Sequence, residues 1–312
     1  MPDVLDVPLS EWRQDEEIKI FNDAVEQFFV KELKPHVEEW REAGAVPREV
    51  WYQAAEQGLL LVSAPEEYGG AGGDFRHDAV IIEQLEKQGI AGFGIGLHNA
   101  IVAPYIIHYG SDEQKQRLLP KLASGERVCA IATTEPGTGS ELQNIKTTAK
   151  KDGNGYVING SKTFITNGQT ANLVLVCAKT DPTKGAKGIS IMMVETDEVE
   201  GFERGRNLKK IGQPAADTSE LFFNDVKVPA SALLGPEEGQ GFIQLMQQLP
   251  QERHIIGIQG IGMIERAIQE TVAYVKQRKA FGGTIMDFQN TQFKLAECKT
   301  EATVAKVFAE HC

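Results

Sequence analysis

Glu252 and Arg253 stand side by side in LPQER, Leu249 to Arg253, directly after a proline that disturbs regular helical hydrogen bonding. A carboxylate there is a candidate general base, although on composition alone it also reads as an exposed first-turn Glu at the start of a helix. TTEPGTGS, Thr133 to Ser140, gathers hydroxyls and backbone N–H groups that can cradle an anion or bond a flat heterocycle; by itself it is also an ordinary turn. In KTFITNG, Lys162 to Gly168, strand alternation places Phe164 and Thr166 on one face. That face could hold a ring system, and a half-buried strand with an Asn-Gly turn explains the same pattern. RKAFGGTIMDFQ, Arg278 to Gln289, is a basic, aromatic, Gly-rich link that could meet a phosphate or a neighbouring subunit, or simply be a solvated loop. Two glycine clusters, GFGIGLHNA (92–100) and GIQGIGMIE (257–265), look superficially like dinucleotide loops, but they follow no expected strand and close helix packing accounts for them.

The elements that must position these residues follow from periodicity. Ile18, Phe21, Val25, Phe28 and Leu33 recur at helical spacing within 16–40, and 49–61 and 78–89 repeat the pattern, so the first third reads as a helical bundle. From about Cys129 the texture becomes short β-branched or aromatic runs separated by turn dipeptides: NGYVINGSKTFITNG, ANLVLVCAKT, GISIMMVE and SELFFNDVKVP. That third reads as an antiparallel sheet. Helical period returns at Ile255, Ile258, Ile261, Met263, Ile264, Ile268 and Val272, breaks at RKAFGG and resumes at Phe288. Helices, then strands, then helices exclude a doubly wound sheet, which would alternate the two. The expected fold is α+β with domains at 1–128 (helical), 129–238 (β) and 239–312 (helical bundle). The last helix runs to Cys312 without a glycine cap or trailing proline, which reads as a chain cut within an element, its bundle incomplete.

Composition narrows the function classes. Hydrophobic residues at 41% and charged residues at 24% fit a folded globular protein. No apolar run approaches the roughly 20 residues of a membrane helix. The net charge of -12 opposes nonspecific nucleic-acid binding. Cys129, Cys177, Cys298 and Cys312 have neither CxxC spacing nor a His cluster, so no metal site or disulfide framework is expected and a reducing compartment fits. The acidic N-terminus lacks signal- or transit-peptide character, which places the protein in the cytoplasm if bacterial and in the mitochondrial matrix if eukaryotic and already processed.

Taken together and in this order, CAIATTEPGTGSEL, INGSKTFITNG, ELFFNDVKVPASALLG and YVKQRKAFG resemble the acyl-CoA dehydrogenase family over nearly the whole chain, and LPQER with YVKQRKAFG resembles its long-chain branch. The resemblance implies a flavoprotein that uses FAD to convert a fatty acyl-CoA to the trans-2-enoyl-CoA in β-oxidation, passes electrons to an electron-transfer flavoprotein, and assembles as a homo-oligomer, typically a tetramer. It implies Glu252 as catalytic base, since the long-chain and isovaleryl branches carry the carboxylate on this earlier helix. Ile131, Ala132, Thr133, Thr134 and Ser140 would contact the flavin and its phosphates, with Phe164, Ile165 and Thr166 against the ring. Phe164 replaces the Trp often found there, which keeps an aromatic surface. Arg278, Phe281 and Gln289 would reach the FAD of a neighbouring subunit, and Ser140, Ile243, Pro250, Gln251 and Arg253 would meet the acyl-CoA. Acyl-chain preference would be set around Ala91 to Ala103. The alternatives are a noncatalytic form that binds acyl-CoA or a partner without stable FAD, and an acyl-CoA oxidase that lets oxygen reach the reduced flavin.

Overall fold

The computed structural model describes Leu5 and residues 10–312. Helix α1 (Glu16–Phe28) buries Ile18, Val25 and Phe28, as their spacing predicts. It continues through a π turn (Phe29–Leu33) and a 3-10 turn (Lys34–His36) into α2 (Val37–Ala43). Pro35, which lacks an N–H and crowds the carbonyl four residues back, accounts for that irregular stretch. Helices α3 (Arg48–Glu56) and α4 (Phe75–Gln88) follow. A second π segment (Leu97–Val102) leads into α5 (Ala103–Tyr109). Next comes α6 (Asp112–Ala123), opened by a Ser111–Gln114 capping box.

The strands are β1 (Cys129–Ala132), β2 (Thr148–Asp152), β3 (Gly155–Thr166), β4 (Leu173–Lys179), β5 (Ile189–Glu195), β6 (Phe202–Asn207) and β7 (Thr218–Pro229). They form one seven-stranded sheet in which β5 covers one edge of β4, while β1 and the end of β2 share the other. The antiparallel expectation needs correction: β1 and β2 both pair with β4 in parallel, so the sheet is mixed, although β2–β3, β3–β7, β4–β5 and β6–β7 are antiparallel. The long connections from β1 and β2 to β4 permit the parallel register, which a short hairpin cannot make.

Helix α7 (Gly241–Gln277), a two-strand hairpin (Lys279–Ala280 with Gly283–Thr284) and α8 (Gln289–His311) complete the chain. LPQER therefore does not start a helix; Pro250 lies inside α7, about two and a half turns from its beginning. An explanation of Glu252 by a first-turn dipole is removed with it.

By contacts the described residues separate into two compact units. One holds His36–Phe75 and Ala91–Glu252, with a core in which Leu61, Tyr105, Leu118, Leu122, Leu175 and Ile191 pack together. The other holds the stretch ending at Pro35, Arg76–Ile90 and Arg253–Cys312. There Arg13 pairs with Glu83 and Glu310, and buried Lys306 pairs with Glu265 at 2.6 Å.

The two glycine clusters are mainly packing devices. A Cβ on Gly92 would lie 2.6 Å from the Ala215 carbonyl carbon, and Gly262 packs where a Cβ would lie 2.9 Å from that of Glu86, whereas Gly257 and Gly260 face open space. Gly92 also has φ +113°. Gly92→Ala is expected to cost about 2–5 kcal/mol, from left-handed strain and overpacking together, read as a lower denaturant midpoint at unchanged slope.

Candidate active site

The unit that ends at Glu252 carries most of the expected site residues. Ile131 is half-buried on β1 beside buried Ala132, and the chain then leaves the sheet as the Thr133–Ser140 loop. This loop is not an ordinary solvated turn. Glu135 and Thr138 bond each other's backbone reciprocally (2.9 and 3.0 Å), and the Thr163 N–H donates to Thr134 O at 3.0 Å. Beneath it Lys162, only 1% exposed, donates to Thr133 O at 3.0 Å and to Glu135 Oε1 at 2.9 Å. The Glu135 carboxylate also accepts the N–H groups of Lys146 (2.6 Å) and Thr147 (3.0 Å). Burial pushes the Glu135 carboxyl up, but the Lys162 ammonium and these donors outweigh it and hold it below its usual range; burial dominates at Lys162 and lowers it. This buried pair was invisible in the sequence, where Lys162 reads as one more polar strand residue.

Directly beyond Lys162 the strand bulges. Thr163 and Phe164 are accommodated between the Lys162–Leu221 and Ile165–Ser219 pairs, and Phe164 takes φ +61°. The strict alternation expected for Phe164 and Thr166 is therefore broken. The bulge turns the Phe164 ring out to 67% exposure, with Ile165 buried and Thr166 half-buried next in line. A large apolar ring held in the open, on the strand whose Thr163 N–H bonds the hydroxyl-bearing Thr133–Ser140 loop, suits a flat heterocycle with polar edges. The one carboxylate inside that loop is neutralised by Lys162. The residues present thus fit a flavin.

On α7, Ile243 is 51% exposed, Pro250 is exposed, and Gln251 and Glu252 are half-buried. Gln251 Nε2 donates to Ala100 O in the second π segment at 2.9 Å. The Tyr105 hydroxyl, on α5, donates to Glu252 Oε1 at 2.7 Å. Nothing in the sequence singled out Tyr105; a lone aromatic in helical texture carries no motif. Cys177 on β4 links the two parts of the site: burial raises its thiol to about 11, Lys162 opposing and Glu252 and Glu135 reinforcing the rise. Cys129 is likewise buried and pushed up. Both thiols are expected to resist a thiol reagent at pH 8 in the folded protein and to react only on unfolding, as a timed labelling experiment would show.

Arg253, Arg278, Phe281 and Gln289 belong to the other unit, and all are exposed there. Phe281 sits in the hairpin turn with φ +52° and packs edge-on against Phe288 at 6.2 Å.

A helix–sheet–helix chain with a built loop, an outward aromatic and a helix-borne carboxylate defines a recognisable class. The family models for the acyl-CoA dehydrogenase N-terminal, middle and C-terminal domains match residues 15–126, 130–226 and 239–312. The long-chain specific acyl-CoA dehydrogenase, mitochondrial, of Sus scrofa is 48% identical over 295 residues, covering 94% of this chain and 68% of that protein. The crystal structure of an acyl-CoA dehydrogenase from Geobacillus kaustophilus superposes with a TM-score of 0.92 at 49% identity, covering 95% of this chain and 78% of the other. A glutaryl-CoA dehydrogenase from Mycobacterium smegmatis in complex with FADH2 gives 0.86 at 30% identity, covering 97% and 76%. The chain belongs to the acyl-CoA dehydrogenase family and is an oxidoreductase acting on acyl-CoA. Members of that family are flavoproteins of fatty-acid β-oxidation, typically tetrameric. Among the described residues, no helix is long and apolar enough to cross a membrane and no His, Cys, Asp and Glu cluster could hold a metal ion.

Proposed function

We propose that this chain dehydrogenates a long-chain acyl-CoA at C2–C3 to the trans-2-enoyl-CoA, with FAD as cofactor and Glu252 as the base that removes the C2 proton. The observation that carries the reading is the half-buried Glu252 carboxylate, fixed by Tyr105 on one helix of the same unit that carries the Thr133–Ser140 loop and Phe164. The 48% identity to a long-chain enzyme supports the chain-length class.

A proton next to a thioester is only weakly acidic, so its removal needs a carboxylate held close and shielded from water. Glu252 takes that proton, and the family resemblance adds its backbone N–H as a donor that would hold the thioester oxygen as charge gathers there. When bound, FAD would supply the two-electron sink for the C3 hydrogen. Ile131, Ala132, Thr133, Thr134 and Ser140 would hold the flavin and its phosphates, with Phe164, Ile165 and Thr166 against the ring. Arg278, Phe281 and Gln289 would serve the FAD of a second subunit in a homo-oligomer. Ser140, Ile243, Pro250, Gln251 and Arg253 would contact the acyl-CoA. The functional division would run 1–128, 129–238 and 239–312. Electrons would pass to an electron-transfer flavoprotein, and the compartment would be a mitochondrial matrix or a bacterial cytoplasm.

Mass spectrometry of the product formed with a dye acceptor tests the reaction. A trans-2-enoyl-CoA two mass units below a long-chain substrate is expected. Its absence from flavin-loaded protein contradicts the reading, and protein that cannot be loaded with FAD points to a noncatalytic form. Peroxide formed in air would indicate an oxidase.

A further inference from the structure

We propose that Tyr105 is a positioning residue for Glu252, its buried phenol fixing the orientation of the carboxylate and setting how readily it takes a proton. The inference rests on the reading of Glu252 as the base and adds the device that holds it.

Tyr105 has no exposed surface, and its ring lies in the core with Leu118, Leu122, Leu175 and Cys177. Its hydroxyl donates to Glu252 Oε1 at 2.7 Å, a charge-assisted contact of the short, strong kind. The ring is thus a rigid post anchored by packing, and the hydroxyl at its tip restrains rotation of the carboxylate. The helix around Glu252 needs such a restraint. Pro250 has no N–H, so α7 loses one backbone bond in this turn, and side chains tie the turn down instead: Gln251 to Ala100 O at 2.9 Å, and Glu252 to Tyr105. Both ties reach one continuous helical stretch, the π segment 97–102 and α5 that follows it. Departures from regular helix of this kind recur at functional sites.

The phenol also acts on basicity. A hydrogen bond donated to a carboxylate favours its charged form, so Tyr105 makes Glu252 a weaker base than burial alone would. Among the groups that act with it are Tyr105 from α5, which bonds it, and the Cys177 thiol from β4, which feels Glu252 together with Lys162 and Glu135. Burial and the nearby Glu252 push the Tyr105 phenol up, and burial holds the Cys177 thiol at about 11. Both therefore stay protonated through neutral pH, and neither adds a second negative charge beside the base.

The test is Tyr105→Phe, which keeps the ring and its packing. The expected result is a fall in kcat of about 10–100-fold with KM within about threefold, and an acid limb of the kcat/KM profile moved to higher pH by about one unit, with FAD content unchanged. An unmoved limb with kcat within about twofold of wild type would overturn the proposal. So would a loss of activity that merely tracks lost FAD or a lowered melting temperature, since that is what a packing role predicts. Glu252→Gln, assayed alongside, separates the two levels. Turnover surviving in Glu252→Gln sinks the base assignment itself, whereas an inactive Glu252→Gln beside a wild-type-like Tyr105→Phe sinks only the positioning role.

Discussion

Replacing Glu252 with Gln is expected to leave FAD bound and the fold intact while lowering turnover about 10²–10⁴-fold, the range lost with a general base. The substitution is nearly isosteric, and the amide can still accept the Tyr105 hydroxyl, so packing around α5 and α7 should persist. What disappears is the ability to take a proton. The most specific readout is deuterium exchange at C2 of an acyl-CoA whose C3 cannot be oxidised. Wild type should wash deuterium into that position, and Glu252→Gln should not. Exchange continuing in the variant would assign the base elsewhere.

The second large effect is expected at Lys162. Lys162→Met leaves the Glu135 carboxylate buried without its cation, and breaking a buried pair from one side costs about 3–5 kcal/mol. The loss is local as well as global, since Lys162 also holds Thr133 O. The proposed flavin loop loosens, and FAD affinity should fall at least about tenfold. Changing both partners, Lys162→Met with Glu135→Gln, should recover part of the stability: no charge is left buried, and the amide oxygen can still accept one of the Lys146 and Thr147 N–H groups, which bond different carboxylate oxygens, while its NH2 meets the other.

The pH dependence has a definite sign. In wild type the folded-state pKa of Glu135 is lowered, so the pair's contribution is present above the ordinary carboxyl range and is lost as pH falls through the lowered value. In Lys162→Met, burial acts with less opposition and that pKa rises. The variant's deficit should then shrink as pH falls below about 5. A deficit that is flat between pH 4 and 8 would argue that Lys162 acts by packing alone.

The fold was largely legible because its signals are periodic. Ile18, Val25 and Phe28 declared α1, and the change of texture at Cys129 marks where β1 begins. Strands β2 (TAKKD) and β6 (FERGRN) went unread because most of their side chains face solvent and leave no apolar alternation. The parallel pairing of β1 with β4 depends on the path of the intervening chain, which no local pattern encodes. At the site, ordered motifs led to Glu252 and the flavin-facing segments through resemblance. The residues that hold them, Tyr105, Lys162 and Glu135, were hidden for a common reason. Each meets its partner across a long stretch of sequence or through a bulge, and a buried polar side chain looks like an exposed one until its neighbours are placed. The bulge at Phe164 illustrates the same limit, since only a non-strand backbone angle keeps that ring outward.

Anaerobic addition of a long-chain acyl-CoA to the purified, FAD-loaded protein, followed through the visible flavin band, tests the central claim most directly. The account predicts that the band bleaches in wild type and persists in Glu252→Gln; a band that persists in both, or bleaches equally in both, would contradict it.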